Sequence, residues 1–122
     1  MRPPVEHVRV SAKGKDILIK VKRYTGLEHW NEICRIALCR SLVNKTPPPA
    51  FGKLGDSVID IEWKTFAGIY HDELAALILF RAKADKIDIT QKEIMAEYFR
   101  NHLERGIISI QNVKNIMQLL DL

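Results

Sequence analysis

The Thr25-Gly26-Leu27 turn divides the N-terminal third of the chain into two helices. Glycine enters the left-handed conformation that ends a helix without a Cβ penalty, so Gly26 marks the stop of a helix near Tyr24. A second helix then opens between Glu28 and Asn31. Within it Ile33, Ala37 and Ser41 recur every four residues, and Cys34, Leu38 and Leu42 form the adjacent row. Together they predict a broad buried face with Arg35 and Arg40 outside it.

Ahead of this pair, Val5 to Ser11 alternates, with Val8 and Val10 on one side and His7, Arg9 and Ser11 on the other, as a short amphipathic strand does. No second strand lies within hairpin distance, so the expected partner of its unpaired backbone is another copy of the chain. Ser11 or Ala12 opens the first helix. Ile17, Leu18, Val21 and Tyr24 form its apolar arc, Lys13 and Lys20 lie on one flank, Lys15 and Lys22 on the other, and Arg23 points away from the core. Gly14 weakens its first turn.

The charge is concentrated in this front section. Residues 1–45 hold ten Lys/Arg against four Asp/Glu, a charge of +6, which leaves −2 for the remainder of a chain at +4. From Arg9 to Arg23 six basic residues face only Asp16. A polyanion is the natural partner of such a segment, the alternative being a solvated helix face.

Residues 44–57, reading NKTPPPAFGKLGDS, break the periodicity and read as a semi-rigid linker with an extended path through Pro47, Pro48 and Pro49. Gly52-Lys53 is not a phosphate loop, because Pro47 stands where its first glycine belongs and Leu54 replaces the hydroxyl residue. Val58 to Phe66 suggests an extended segment or second strand. A helix from about His71 to Lys83 is apolar on nearly all sides, which predicts burial on more than one face. Thr90-x-x-Glu93 reads as a capping box for the next helix, with Ile94, Tyr98 and Leu103 on its apolar face and a stop at Gly106. A last amphipathic segment, Val113 to Leu120, aligns Ile116, Met117 and Leu120.

One domain of 122 residues, 47% hydrophobic, excludes a disordered tail. No apolar run approaches the roughly 20 residues that span a bilayer, and no leader-like segment precedes the first charges, so a cytoplasmic location is expected. Cys34 and Cys39 lie about 140° apart around a helix, which fits neither a disulfide nor a shared metal. His7, His29, His71 and His102 match no ligand spacing, and no serine sits in a nucleophile elbow. Asp72 and Glu73 fall at a helix start, where acids offset the macrodipole. No catalytic site, metal site or cofactor is therefore expected.

Strand, helix, glycine turn and helix in some forty residues is the arrangement of ribbon-helix-helix proteins, in which two copies interleave their strands. The expected fold is mainly α: a ribbon-helix-helix-like unit over residues 1–43, the linker over 44–57, and a helical completion over 58–122. More specifically, the chain resembles the DndE family of DNA sulfur modification proteins. The matching residues are Val8-Arg9-Val10-Ser11, Thr25-Gly26-Leu27, Cys34-Arg35-Ile36-Ala37 with Cys39 and Ser41-Leu42, Phe66-x-Gly68-x-Tyr70, and Phe99-Arg100-x-His102-x-x-Arg105-Gly106. The family pattern has Thr-Pro-Asn soon after the Thr-Gly-Leu turn, where this chain has Glu28-His29-Trp30-Asn31.

The resemblance implies a subunit of bacterial DNA phosphorothioation, a homo-oligomer with a tetramer as one form, and binding of duplex DNA, nicked DNA included. It also implies partners, namely a cysteine desulfurase, a sulfotransfer enzyme and an ATPase, and no sulfur chemistry in the small subunit itself. The expected DNA contacts are Lys13, Lys15, Lys20, Lys22 and Arg23, with Arg9 on the strand as the competing site. The expected oligomer contacts are Val8, Val10, Gly26 and Leu27. A ribbon-helix-helix repressor and a protein-only assembly subunit stay open as alternatives.

Overall fold

The computed structural model describes residues 2–52 and 57–121. In order, the chain forms β1 (His7–Ser11), α1 (Ala12–Thr25), α2 (Trp30–Val43), β2 (Ser57–Glu62), α3 (Trp63–Ala67), a 3-10 turn (Gly68–Tyr70), α4 (His71–Ala84), α5 (Lys92–Ser109) and α6 (Ile116–Leu120). The mainly α reading, with a strand and two helices ahead of a helical C-terminal half, holds.

The partner of the first strand is not another copy. β2 pairs antiparallel with β1 in the same chain, in the register Val8 opposite Ile61 and Val10 opposite Ile59. The segment after α2 carries the chain back far enough to supply the missing backbone groups. Val8 and Val10 are consequently buried in their own chain at 1% and 0% exposure. The unpaired strand that was the reason for placing them between copies is therefore absent. That returning segment is also more than a spacer. Thr46 closes a turn on the Asn44 carboxamide, and Phe51 donates its N–H to Asn101 Oδ1 at 3.2 Å. Residues 53–56 of the expected linker, with Lys53 of the rejected phosphate loop, lie outside the described residues.

The core is built where α2 crosses α5. As the fourfold spacing predicts, Ile33, Cys34, Ala37, Leu38 and Ser41 are buried. Gly106 lies inside α5 and does not end it. A Cβ there would overlap the Ala37 carbonyl, so glycine is needed for the close approach of two backbones, and no turn is involved. Trp63, Phe66 and Phe99 stack beside this crossing with ring centroids 5.6 to 5.8 Å apart. Arg35 and Asn31 of α2 hold α3 by donating to the carbonyls of Phe66 (2.7 Å) and Thr65 (3.1 Å).

Two arginines finish α2. Helix C-termini leave carbonyls without partners. Arg81 donates to the oxygens of Leu42 and Thr46, and Arg105 to those of Ser41 and Thr46, at 2.6 to 2.9 Å. Asp85 takes Arg81 Nε (3.0 Å) and the Tyr98 hydroxyl (2.6 Å). Arg105 Nε also donates to Ser41 Oγ at 2.8 Å, and the same hydroxyl shares a hydrogen bond with His102 Nδ1, again 2.8 Å long. Burial, with the Arg105 and Arg81 charges, pushes His102 down to about 4.

Three local readings change. α5 starts at Lys92 with Gln91 as its cap position, because Asp88 accepts from both the N–H and hydroxyl of Thr90 and withdraws it from the capping box. Gly14 is buried, and a Cβ on it would sit 2.7 Å from Val10 Cγ1, so it makes room for β1. In α6 the aligned Ile116, Met117 and Leu120 face outward, and the anchor is Leu119 at 0% exposure. Arg40 fastens that end by donating to the Leu119 and Asp121 carbonyls at 3.3 and 2.6 Å.

Gly106→Ala should cost about 3 kcal/mol or more, because neither backbone can yield without opening the crossing. The expected drop in melting temperature exceeds about 10 °C, whereas Glu97→Ala on the exposed side of α5 leaves it nearly unchanged. A Gly106→Ala protein melting with the wild type would show that the helices do not need this contact. His102 gives a pH dependence. Its pKa is depressed in the folded protein, so the unfolded chain binds the proton first as pH falls below 6.5. Stability should be full above about pH 7 and fall between there and pH 4, by about 2 kcal/mol at pH 5. Thermal melts of wild type and His102→Asn across this window check it, the variant having the flatter profile.

Candidate nucleic-acid interface

Helix α1 is positioned by its own ends. Ser11 Oγ accepts from the Gly14 N–H at 3.0 Å as the N-cap. Gly26 closes the C-terminus at φ 75°, its N–H donating to Lys22 O at 3.0 Å. The buried stripe is Gly14, Ile17, Leu18 and Val21, while Tyr24 stands 43% exposed with the Lys114 ammonium 4.7 Å from its ring centre.

At about 100° per residue, Lys13 and Lys20 fall on one side of α1 and Lys15 and Lys22 about 160° round on the other, with Asp16 and Arg23 on the crest between them. The five cations thus straddle the helix and do not form one patch. Lys13 and Arg23 are exposed, and Lys15, Lys20 and Lys22 half-buried. None of the five is in an ion pair among the described residues. The Lys13 side adjoins α5, where the buried carboxyl of Glu104 accepts from the Ser11 hydroxyl at 3.3 Å. Burial raises the Glu104 pKa, and the bonds from Ser11 and the charges of Arg100 and Lys13 oppose the rise. On the opposite side Lys22 Nζ lies 5.8 Å from the Trp30 ring centre. Lys22 and Arg23 in the last turn also complement the helix dipole.

The other expected contacts fare differently. Arg9 lies on the exposed face of β1, but Asp60 from β2 faces it, 3.4 Å from Arg9 Nε and 2.7 Å from His7 Nδ1. Arg9 therefore stands beside a fixed acid. Gly26 and Leu27 join Ile19, Lys22, Arg23, Glu28 and Trp30 around an open cavity of about 540 Å³. Glu28 there, and Glu32 in the first turn of α2, make the start of that helix a poor phosphate site.

A basic group that sequence spacing did not reveal comes from α5. Lys92 and Arg100 join Arg9 around a cleft of about 250 Å³ between β1 and α5. Arg100 Nε is buried without a hydrogen-bond partner, while Lys92 pairs with Glu6 at 3.1 Å. Sequence gives no signal for this grouping, since the residues are some ninety positions apart and meet only through tertiary packing.

Three of the candidates for covalent chemistry, Ser41, His102 and Cys34, are sealed. Ser41 and His102, though hydrogen-bonded, are 2% and 0% exposed within the α2–α5 crossing. Burial pushes the Cys34 thiol up to about 12 and raises the half-buried Cys39 as well, which favours the protonated thiol at both. Both are free. No helix among the described residues is long and apolar enough to cross a membrane.

Comparison with known proteins follows the same outline. No curated protein sequence matches the chain. Its fold is similar to the crystal structure of DndE from Escherichia coli B7A, described as involved in DNA phosphorothioation modification, with a TM-score of 0.68 at 21% identity over 87% of this chain and 97% of that one. The family model for DNA sulphur modification protein DndE matches residues 7–118, from the first residue of β1 into α6. The chain belongs to the DndE family of DNA sulphur modification proteins.

Proposed function

We propose that this protein is a non-catalytic, DNA-binding subunit of a phosphorothioate modification system, holding duplex or nicked DNA by its phosphates through Lys13, Lys15, Lys20, Lys22 and Arg23. The observation that carries the reading is a helix with five cations, none of them in an ion pair among the described residues, in a segment whose only acid is Asp16. The straddling arrangement suits a backbone. A helix fits a major groove about 12 Å wide, and lysines on both flanks then reach the phosphates on its two lips. The crest holds Asp16, Ile19 and Arg23, with no Asn or Gln to read base edges, so binding is positional and not sequence-specific. Nicked DNA bends at little cost and suits the same surface.

Sulfur activation and transfer fall to partner enzymes, a cysteine desulfurase, a sulfotransfer enzyme and an ATPase, and the sealed Cys34 agrees with that division. The repressor alternative loses support, because β1 pairs with β2 of its own chain where a ribbon-helix-helix protein pairs it with a second copy. A protein-only assembly role is the reading to test against.

Titration of nicked and intact duplex as a function of salt decides. Single Lys13→Ala, Lys15→Ala, Lys20→Ala and Lys22→Ala changes should weaken binding to all sequences alike, each lost phosphate contact reducing the slope of log K against log salt by roughly 0.9. No measurable DNA affinity would leave the assembly role. Loss of binding on Arg9→Ala, with the lysine variants unchanged in affinity and slope, would move the site to the β1–α5 cleft.

A further inference from the structure

One face of α4 stays exposed at Leu77 and Phe80, short of the burial on more than one face that its composition predicts. The start of α2 holds a feature with more chemistry. Glu28-His29-Trp30-Asn31, where the chain leaves the family pattern, brings in a tryptophan that packing alone does not explain. Trp30 opens α2 half-buried, and its Nε1 is buried with no hydrogen-bond partner among the described residues. A buried N–H without an acceptor weakens a fold, and phenylalanine would fill the same space without that cost. Trp30 lines the open cavity of about 540 Å³ between the end of α1 and the start of α2, a size within the roughly 300–1,000 Å³ of small-ligand pockets. Leu27 and Ile19, the latter 38% exposed, complete its apolar wall, Lys22 and Arg23 add two cations, and Glu28 adds one acid. A Cβ on Gly26 would meet nothing within 4 Å, so the turn does not close the cavity.

We propose that this cavity takes one unpaired base of a DNA strand, guanine before thymine, stacked on the Trp30 indole with its flanking phosphates on Lys22 and Arg23 and its edge on the Glu28 carboxylate. The inference rests on the proposed DNA-binding role and adds a site to it. The composition of the wall selects the occupant. An apolar peptide would leave two cations and an acid unmatched, and a phosphate alone would leave the indole and Ile19 facing water. A nucleotide meets all three, because it joins a flat apolar ring to a fixed negative charge and to polar edges. An aromatic ring stacks any base, so the choice among bases falls to Glu28. Guanine presents its ring N–H and its amino group side by side to a carboxylate, whereas the thymine N–H is flanked by two carbonyl oxygens that repel one. Glu28, which keeps a phosphate from the start of α2, is thereby matched to a base. Lys22 Nζ already stands 5.8 Å from the Trp30 ring centre, and its flexible stem lets the ammonium move to a phosphate as the base enters. Lys22 and Arg23 also belong to the proposed phosphate-binding surface, so a strand that runs along α1 reaches the cavity.

Fluorescence anisotropy at fixed salt tests this with three duplexes of equal length: fully paired, with one bulged guanine, and with one bulged thymine. The guanine duplex should bind about tenfold tighter than the paired one, with the thymine duplex between them. Trp30→Ala should bring all three to the affinity of the paired duplex with the salt slope unchanged, and Trp30→Phe should keep part of the difference. Glu28→Ala should strengthen binding to every duplex and make guanine and thymine equal. Glu28 is exposed, so that comparison stands even if Trp30→Ala does not fold. Equal binding of the three duplexes by the wild type overturns the inference and leaves the DNA-binding role in place, whereas binding to none of them overturns both. A guanine preference that survives Trp30→Ala overturns the site. So does a loss of preference that comes with a change of mass in light scattering, which would mark the turn as a contact between copies.

Discussion

The closest structural constraint in the molecule is the passage of α5 over α2 at Gly106 and Ala37. Helices normally keep their axes 8 to 10 Å apart because side chains fill the space between them. Here one position has no side chain, and a backbone carbonyl occupies the place of the missing Cβ. That approach sets the level at which α5 lies on α2, and the neighbouring turns of both helices are then within reach of one another. Ser41 meets His102 and Arg105, and Arg40 meets Ser109, because Ala37 meets Gly106. The polar network depends on the packing contact, since none of those bonds survives a displacement of about an ångström.

The network in turn decides where the chain goes after α2. Arg81 and Arg105 approach from α4 and α5 and take the same Thr46 carbonyl, so the segment leaving α2 is held between two later helices. Its direction returns the chain to β1, where β2 closes the sheet that a lone strand would have left open. The edge problem is solved inside one chain, at the expense of the strand face. Asp60 comes in with β2 and takes the side chains of His7 and Arg9. An ordinary ribbon-helix-helix surface is lost by the same step that satisfies its backbone.

What could be read in the sequence follows from this. The periodic rows of α1 and α2, the Ser11 cap and the Gly26 stop depend on residues within four positions of each other, and local pattern reaches that far. The errors concern partners far along the chain or a competing local pattern. Gly106 reads as a stop because glycine at the end of an apolar run usually is one, and only Ala37, sixty-nine positions earlier, shows why it is needed. Asp88 outcompetes Glu93 for Thr90 through a turn that the capping-box pattern does not consider. Ile116, Met117 and Leu120 align perfectly well, yet the short α6 is anchored through Leu119 and through Arg40. For the site, the lysines and their division between two flanks were plain in the sequence, whereas the arrival of Asp60 beside Arg9 needed coordinates.

The residues that carry the family resemblance separate cleanly from those proposed to touch DNA. Ala37, Ser41, Phe66, Phe99, His102, Arg105 and Gly106 hold α5 and α3 on α2, and Arg35 and Gly68 finish α3. Val8 to Ser11 ends in the cap of α1, and Thr25-Gly26-Leu27 is its stop. Apart from Arg9, neutralised by Asp60, the resemblance brackets the basic helix and includes none of its cations. It accounts for the place, length and tilt of α1, and leaves the charge on its outer surface to be explained separately. A core position is constrained by many neighbours at once, whereas an exposed lysine is constrained by what it meets in solution. None of the five cations on that surface is in an ion pair among the described residues, and under the proposed function the partner that matches them is an anion extended enough to reach both sides of a helix.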